Sequence, residues 1–305
     1  MDNPLYDVAI IGGGPAGLSA ALVLGRARKY VAFIDEGRPR NAVTHEIHGF
    51  LTRDGISPSE FRRLANEEIA AYPSVSFFTE PAVTITGADS RFEIETMQGK
   101  RLLSKKVLFA VGMKDRPLDI PGLKEVYGKS AFVCPYCDGW ELRDQPLVII
   151  NKGAELMHFA PLLSGWTNRI TVCTNGPDEL TDTEREELRR NQVLLFDSPI
   201  RRIDSNDGIT RQVVLEDGSS IACRGIFFKP ELVTGSNLPR TIGCQMTELG
   251  EVVVDDFGKT NIPGVYSVGD VTSRFHQAIA AASKGSLAAV VINNELNGIA
   301  WKANL

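Results

Sequence analysis

What most constrains the fold of this 305-residue chain is the turn Gly12-Gly13-Gly14-Pro15-Ala16-Gly17, together with the segments on either side of it. A β-rich run, Asp7–Ile11, leads straight into the glycines. An apolar, Ala-rich stretch with helical spacing, Leu18–Arg28, leads out, and a second strand, Tyr30–Ile34, ends in Asp35. Strand, glycine turn, helix, strand and acid, in that order, predict a βαβ unit that binds a dinucleotide. In such a turn Gly12 permits the tight bend, Gly14 lets the backbone approach a pyrophosphate, and Gly17 lets the helix pack close on the sheet. Pro15 and Ala16 complete the turn, and the helix that follows offers free N–H groups and a partial positive charge to phosphates. Asp35 is placed to accept hydrogen bonds from a ribose.

Downstream, Ser57-Pro58-Ser59-Glu60 predicts a helix with an N-cap, a first-turn proline and a capping-box glutamate, running to about Tyr72 before Pro73 stops it. Alternating runs at Val75–Thr79, Ala82–Thr86 and Phe92–Thr96 predict strands around a Gly99 turn. Val107–Val111 predicts a buried strand ending at Gly112. The stiff, Pro-rich crossing through Arg116-Pro117 and Ile120-Pro121-Gly122 marks a domain boundary. A second αβ segment follows, with a strand at Leu147–Ile150, a helix at Glu155–Leu163, a strand at Arg169–Thr174 and a charged helix at Asp182–Asn191. Strands at Val213–Glu216 and Ile226–Lys229 come next, and an Ala-rich helix from about Gln277 to Asn297 ends the pattern. The two βαβ beginnings, at Val8 and Leu147, predict two copies of one nucleotide-binding architecture.

The formal charge of -5 and the pI near 5.5 argue against nucleic acid or an anionic membrane as partner, since either calls for a basic face. No apolar stretch reaches the ~18 residues of a membrane helix. Met1–Asp7 lacks the basic start and apolar core of a signal peptide, so the cytoplasm is the expected compartment. Five cysteines, an odd count, do not make a disulfide framework. Two of them, Cys134 and Cys137, stand as C-x-x-C, a pattern that serves redox chemistry or metal. A zinc site needs a second pair of ligands, and Cys173, Cys223 and Cys244 are isolated singles. They read as buried small hydrophobes, and no metal is expected. Two thiols at this spacing close a small ring and release two electrons and two protons. The thiolate is the reactive form, so one cysteine needs a depressed pKa or an adjacent base. Asp138 directly follows Cys137.

Gly12–Gly17 with Asp35, the Ala110-Val111-Gly112 and Ile120-Pro121-Gly122 crossing, Cys134-Pro135-Tyr136-Cys137-Asp138-Gly139, and Gly269-Asp270 stand in one order over nearly the whole chain. In that combination the chain resembles the low-molecular-weight thioredoxin reductases, two-domain flavoproteins. The resemblance implies an α/β fold of two Rossmann-like, FAD- and NAD(P)-binding domains, the second inserted into the first. Residues 1–116 plus 246–305 would form the split FAD domain, and residues 117–245 the inserted NAD(P)-binding-like domain that carries the C-x-x-C pair. It implies FAD as cofactor, held by Gly12, Gly14, Pro15, Ala16, Gly17, Asp35, Glu36, Arg40, Asn41, Gly112, Gly269, Asp270 and Gln277. By the same resemblance Cys137 lies against the flavin, Cys134 is the outer interchange thiol, and Asp138 is the acid/base. His276, beside Gln277, is a candidate proton carrier near the dithiol. Homodimers are implied too. A narrower likeness, carried by Arg40-Asn41, His48-Gly49-Phe50-Leu51 and Asp54-Gly55, is to the branch that oxidises dithiols in gliotoxin and holomycin biosynthesis. It makes His45 and His48 candidates for substrate contact, whereas His158, on an apolar helix, reads as structural.

The chain departs from the family where NADPH would bind. After Leu147–Ile150 it reads Asn151-Lys152-Gly153-Ala154-Glu155, keeping one glycine and adding Lys152 and Glu155, which would crowd or repel a pyrophosphate. After the next strand, Cys173-Thr174-Asn175-Gly176-Pro177-Asp178-Glu179 offers two acids and no cation to a 2′-phosphate. The expectation is an FAD-dependent thiol–disulfide oxidoreductase without normal NADPH use, acting on a small dithiol or disulfide or on a thioredoxin-like protein. Three alternatives stay open: a dithiol oxidase that passes electrons to oxygen, a disulfide reductase fed by ferredoxin, another donor or unusually bound NADPH, and a flavin-bound sensor without turnover.

Overall fold

The structure, a computed structural model, describes residues 4–303. The chain begins with β1 (Leu5–Ile11), α1 (Pro15–Arg26) and β2 (Val31–Ile34). Then come α2 (Pro58–Ala70), β3 (Val75–Phe78) and a meander of β4 (Ala82–Ala88), β5 (Arg91–Thr96) and β6 (Arg101–Phe109). Strand β7 (Met113–Arg116) leads away through α3 (Leu123–Val126), β8 (Ala131–Phe132) and α4 (Pro135–Asp138). The second βαβ unit is β9 (Leu147–Ile150), α5 (Gly153–Leu163) and β10 (Ile170–Cys173), followed by α6 (Asp182–Arg190) and β11 (Leu194–Phe196). Strands β12 (Ile200–Asn206), β13 (Ile209–Leu215), β14 (Ser220–Ala222) and β15 (Gly225–Phe228) complete this stretch. The return runs through β16 (Glu231–Thr234), α7 (Leu238–Thr241), β17 (Val265–Ser267) and α8 (Ala278–Ala303).

Two compact units result. One holds the chain up to Ala42, Gly49–Lys114 and everything from Leu232 on; the other holds Val43–His48 and Asp115–Glu231. The first unit is built on a seven-stranded sheet of order β3-β2-β1-β6-β5-β4, with β17 also on β6. Strands β1, β2, β3, β6 and β17 run parallel, while β4 and β5 are antiparallel additions. The pleat sends alternate residues to opposite faces, so Val8, Ile10, Val31 and Phe33 join one core cluster, and Ala9, Ile11, Ala32 and Ile34 another. Strand β6 starts earlier than its buried run indicates, because Arg101–Ser104 pair with β5 and Val107–Phe109 pair with β17. Its polar first half alternates and was not legible as strand from hydrophobicity alone.

The second unit carries a five-stranded parallel sheet, β11-β10-β9-β15-β8, and a separate antiparallel sheet, β12-β13-β14. All four residues of β9 are buried, as suits a central parallel strand. This is the doubly repeated Rossmann-like α/β architecture with one unit inserted into the other.

Local sequence rules hold unevenly. Ser57 caps α2 by accepting from Glu60 N–H at 3.2 Å, but the Glu60 carboxylate pairs with Arg63 instead of closing a box. The reciprocal box forms at α6, between Thr181 and Glu184. The second boundary falls at Leu232, not at residue 246. Leu238 and Cys244 are buried in the core of the first unit, with Leu232, Ile242 and Met246 packed on it, so this stretch belongs there. The first boundary, at Lys114/Asp115, lies two residues from the expected one.

Candidate active site

At the first glycine turn, backbone sterics explain each glycine differently. A Cβ on Gly12, whose φ is +107°, would stand 2.3 Å from the Ala110 carbonyl oxygen, and one on Gly17 would stand 1.9 Å from that of Gly12. Gly14 is the opposite case: a Cβ there would meet nothing within 4 Å. Gly14 is also the N-cap of α1, with no side chain capping the helix and Pro15 at its first position. Open space in front of uncapped helix N–H groups is the cradle a pyrophosphate fills, and the residues present therefore fit FAD. Helix α8 is fitted against α1 through small residues: a Cβ on Gly285 would stand 1.9 Å from Ala16 O, and Gly269 lies close to the Ala16 methyl.

Asp35 is in place but partly committed. Its Oδ1 accepts from Gly13 N–H at 2.9 Å and its Oδ2 from Arg62 at 2.6 Å, while Arg62 also donates to Gly13 O. A carboxylate offers about four acceptor directions, so two remain for a ribose. Arg62 lies on α2 and carried no sequence signal. Glu36 lies 3.9 Å from Arg38 and 3.8 Å from Lys114.

Three residues far apart in sequence come together in the same unit. Arg40 Nη1 lies 2.7 Å from His276 Nδ1 and 3.5 Å from Asp270 Oδ2. Because a guanidinium only donates, His276 Nδ1 is the acceptor and its proton sits on Nε2. Asn41 follows Arg40 on a short 3-10 turn, Arg40–Val43. Gln277, exposed, directly precedes α8, and its carbonyl accepts from Ala281 N–H at 2.9 Å. Gly112, at φ +61°, faces open space. Lys284, unnoticed in the sequence, donates to the Thr272 hydroxyl at 3.3 Å. Burial holds its ammonium below the usual lysine range, against the opposing pull of Asp270 and Glu251. A lone lysine in the Ala-rich start of α8 was the available signal.

The dithiol belongs to the second unit. Cys134 is the N-cap of α4 in extended conformation, Pro135 starts the helix, and one turn brings Cys137 back so that the two sulfurs are 2.7 Å apart. Asp138 N–H donates to Cys134 O at 3.2 Å. Its carboxyl is pushed up to about 7, by burial first and then by the negative charges of Cys134 and Glu141, with His48 opposing. A carboxyl poised there exchanges protons at neutral pH. Gly139 packs against Trp166, and Trp166 in turn meets the Tyr136 ring edge-on at 5.5 Å. Cys173, Cys223 and Cys244 are buried, and burial pushes the first two thiols up to about 12, which leaves them inert. His45 and His158 are exposed, whereas His48 is half-buried, 3.3 Å from Glu46 and 3.7 Å from Glu141.

The second turn is flanked by ion pairs of its own side chains. Gly153 opens α5 behind Lys152, with Glu155 in the first turn and no side-chain cap. Lys152 pairs with Glu179 and Lys229 with Glu155. Asp178, which sequence alone left without a cation, receives Arg185 at 2.7 Å, and its carboxyl is held below the usual range by that bond. Both acids after β10 are thus neutralised by cations brought from elsewhere in the fold, each already engaged.

Comparison with known proteins gives a consistent picture. A family model described as pyridine nucleotide-disulphide oxidoreductase matches residues 6–285. The thioredoxin reductase aclD of Aspergillus oryzae is 32% identical over 97% of this chain and 98% of its own. The thioredoxin reductase sirT of Leptosphaeria maculans is 31% identical over 96% of this chain and 95% of its own. Among solved structures, a candidate thioredoxin reductase TrxB of Bacillus anthracis is 40% identical with a TM-score of 0.91, covering 96% of this chain and 99% of its own. The structure of HlmI is 34% identical with a TM-score of 0.93, covering 98% of this chain and 95% of its own.

Proposed function

The chain belongs to the pyridine nucleotide-disulphide oxidoreductase family, as a flavoenzyme of low-molecular-weight thioredoxin reductase type, and from that premise we propose that it exchanges electrons with a substrate dithiol or disulfide through Cys134 and Cys137 without normal NADPH use. The observation that carries the first half is the pair of sulfurs 2.7 Å apart beside an acid whose carboxyl is pushed up to about 7. FAD, held at Gly12–Gly17, Asp35, Glu36, Arg40, Asn41, Gly112, Gly269, Asp270 and Gln277, supplies two-electron redox capacity when bound. The protein's part is proton and thiol chemistry. Cys134, at the start of α4, meets the substrate sulfur; Cys137 closes the ring; and Asp138 takes or returns the proton, since its acid and base forms are both populated near neutrality.

The second half rests on the turn before α5. Its residues are engaged in the Lys152–Glu179 and Lys229–Glu155 pairs, and Glu155 places an acid where a phosphate would meet the helix N-terminus. Breaking these pairs and repelling the ligand would both count against NADPH. The names of the fungal relatives favour a second reading, an NADPH-dependent thioredoxin reductase. Anaerobic addition of stoichiometric NADPH to the yellow holoprotein separates the two. The expected result is an unchanged visible flavin band; rapid bleaching would establish the second reading. A small dithiol added in air then tests direction. Oxygen uptake marks a dithiol oxidase, and its absence leaves a reductase that takes electrons from another donor such as ferredoxin.

A further inference from the structure

We infer that His48 is a positioning residue for the proton transfer at Asp138, an inference that rests on the dithiol reading above. His48 ends a six-residue strap, Val43–His48, that packs with the inserted unit although both flanks belong to the other. The strap is built in. The Val43 carbonyl lies where a Cβ on Gly128 would approach to 2.1 Å, so only glycine fits at that position, whose φ is +75°. Ile47 is buried, which fixes the residue beside His48.

From this anchorage the imidazole Nε2 stands 3.3 Å from Glu46 and 3.7 Å from Glu141. Glu141 lies three residues after Asp138, and the two have opposed effects on it: Glu141 disfavours the Asp138 carboxylate, and His48 favours it. Glu46 and Glu141 thus face the ring directly, and Asp138, on which Cys134 and Glu141 also act, feels its charge. The ring is thereby held beside two carboxylates, one of which, Glu141, opposes the ionised form of Asp138.

The step it serves balances by itself. Cys134 gives its proton to the Asp138 carboxylate, and the resulting thiolate attacks one sulfur of a substrate disulfide. The substrate S–S bond breaks and one substrate thiolate leaves. Asp138 passes its proton to that leaving thiolate and then takes the proton of Cys137, whose thiolate attacks Cys134 Sγ. The mixed Cys134–substrate disulfide breaks, the second substrate thiolate leaves and takes the proton from Asp138, and two electrons have passed from the cysteine pair to the substrate. His48 favours the ionised form of Asp138 that accepts the proton, against Glu141 and the nascent thiolate.

The test is anaerobic stopped-flow mixing of the dithiol-reduced, desalted holoenzyme with a small chromogenic aromatic disulfide across the neutral pH range. The wild-type rate rises along a limb set by Asp138. His48→Gln should move that limb to higher pH by about half a unit or more, roughly a threefold loss of rate below the midpoint. Glu141→Gln, on an exposed side chain that faces His48 from 3.7 Å, should move it to lower pH, and His48→Lys, which places a fixed positive charge there, should hold the limb near its wild-type place. A limb that stays put in His48→Gln overturns the inference, whatever Glu141→Gln does. Asp138→Asn tests the underlying reading separately. If it keeps the wild-type limb, Asp138 is not the acid; if it loses the limb while His48→Gln leaves it unmoved, only the role of His48 fails.

Discussion

Two strand–turn–helix junctions in this chain share a backbone plan and differ in what fills them. At the first, β1 gives way to a helix whose N-cap, Gly14, faces open space and whose first turn carries no acid. At the second, β9 gives way to a helix that begins behind Lys152, carries Glu155 in its first turn, and is crossed by two ion pairs. The packing beneath is alike in kind. Strand β9 is wholly buried, and Gly153, Leu156, Ala160 and Leu163 seat α5 on its sheet much as Ala16, Gly17, Ala20, Ala21 and Leu24 seat α1. A Rossmann-like fold is held by its buried strands and helix faces. The turn is free to keep or lose its ligand chemistry, because its side chains contribute little to that packing.

That contrast can be broken or sharpened by experiment. The largest effect is expected at the dithiol: Cys134→Ser or Cys137→Ser should reduce turnover at least about 1,000-fold while the flavin absorbance is retained. Retained activity in either variant would sink the dithiol mechanism. Next come the two glycines of the first turn. Gly12→Ala forces a methyl to within 2.3 Å of Ala110 O at a positive φ, and should cost on the order of 4 kcal/mol of stability, read by denaturant unfolding. Gly14→Ala should fold normally yet lose flavin on dilution, since its methyl meets only the space reserved for ligand. If both variants behave alike, the distinction between a glycine for the fold and a glycine for the ligand is wrong.

A smaller effect is expected at Asp138. Its pKa is raised in the folded protein, from 3.8 to about 7, so the ionised form is the costly one. The native state binds more protons than the unfolded state between these values, and wild-type stability falls as pH rises through that window. Asp138→Asn should therefore melt a few degrees higher than wild type at pH about 8, with the difference vanishing below pH about 4. The smallest effect belongs to the second turn. Glu155→Gln breaks a pair whose two side chains are half exposed, and should change unfolding free energy by about 0.5 kcal/mol or less. A large loss there would mean that the ion pairs, and not the buried strand, hold the second junction together.

Where structure depends on neighbours in sequence, the residues announced it. The glycine turn, the strand Leu147–Ile150, the Ser57 cap and the C-x-x-C on one helical turn were legible because each is specified within a few residues. The Glu60 half of a capping box was misread, because an arginine one turn on competed for the carboxylate. Strand β6 was half seen, since its polar portion is fixed by pairing with β5 rather than by burial.

By itself, then, the sequence determined the α/β class, the two βαβ units, the glycine turn and the placing of two cysteines on one helical turn, all of them short-range patterns of backbone permissiveness and hydrophobic period. Only the tertiary structure decided that Arg40 meets Asp270 and His276 across 230 residues and more, and that Arg62 ties Asp35 to its own glycine turn. It alone decided that the chain returns to the first unit at Leu232, and that His48 travels on a strap to stand beside Glu46 and Glu141. The physical reason is common to all four. Each depends on which distant surfaces bury against one another, and burial between remote segments leaves no periodicity in either segment for a reader of the sequence to find.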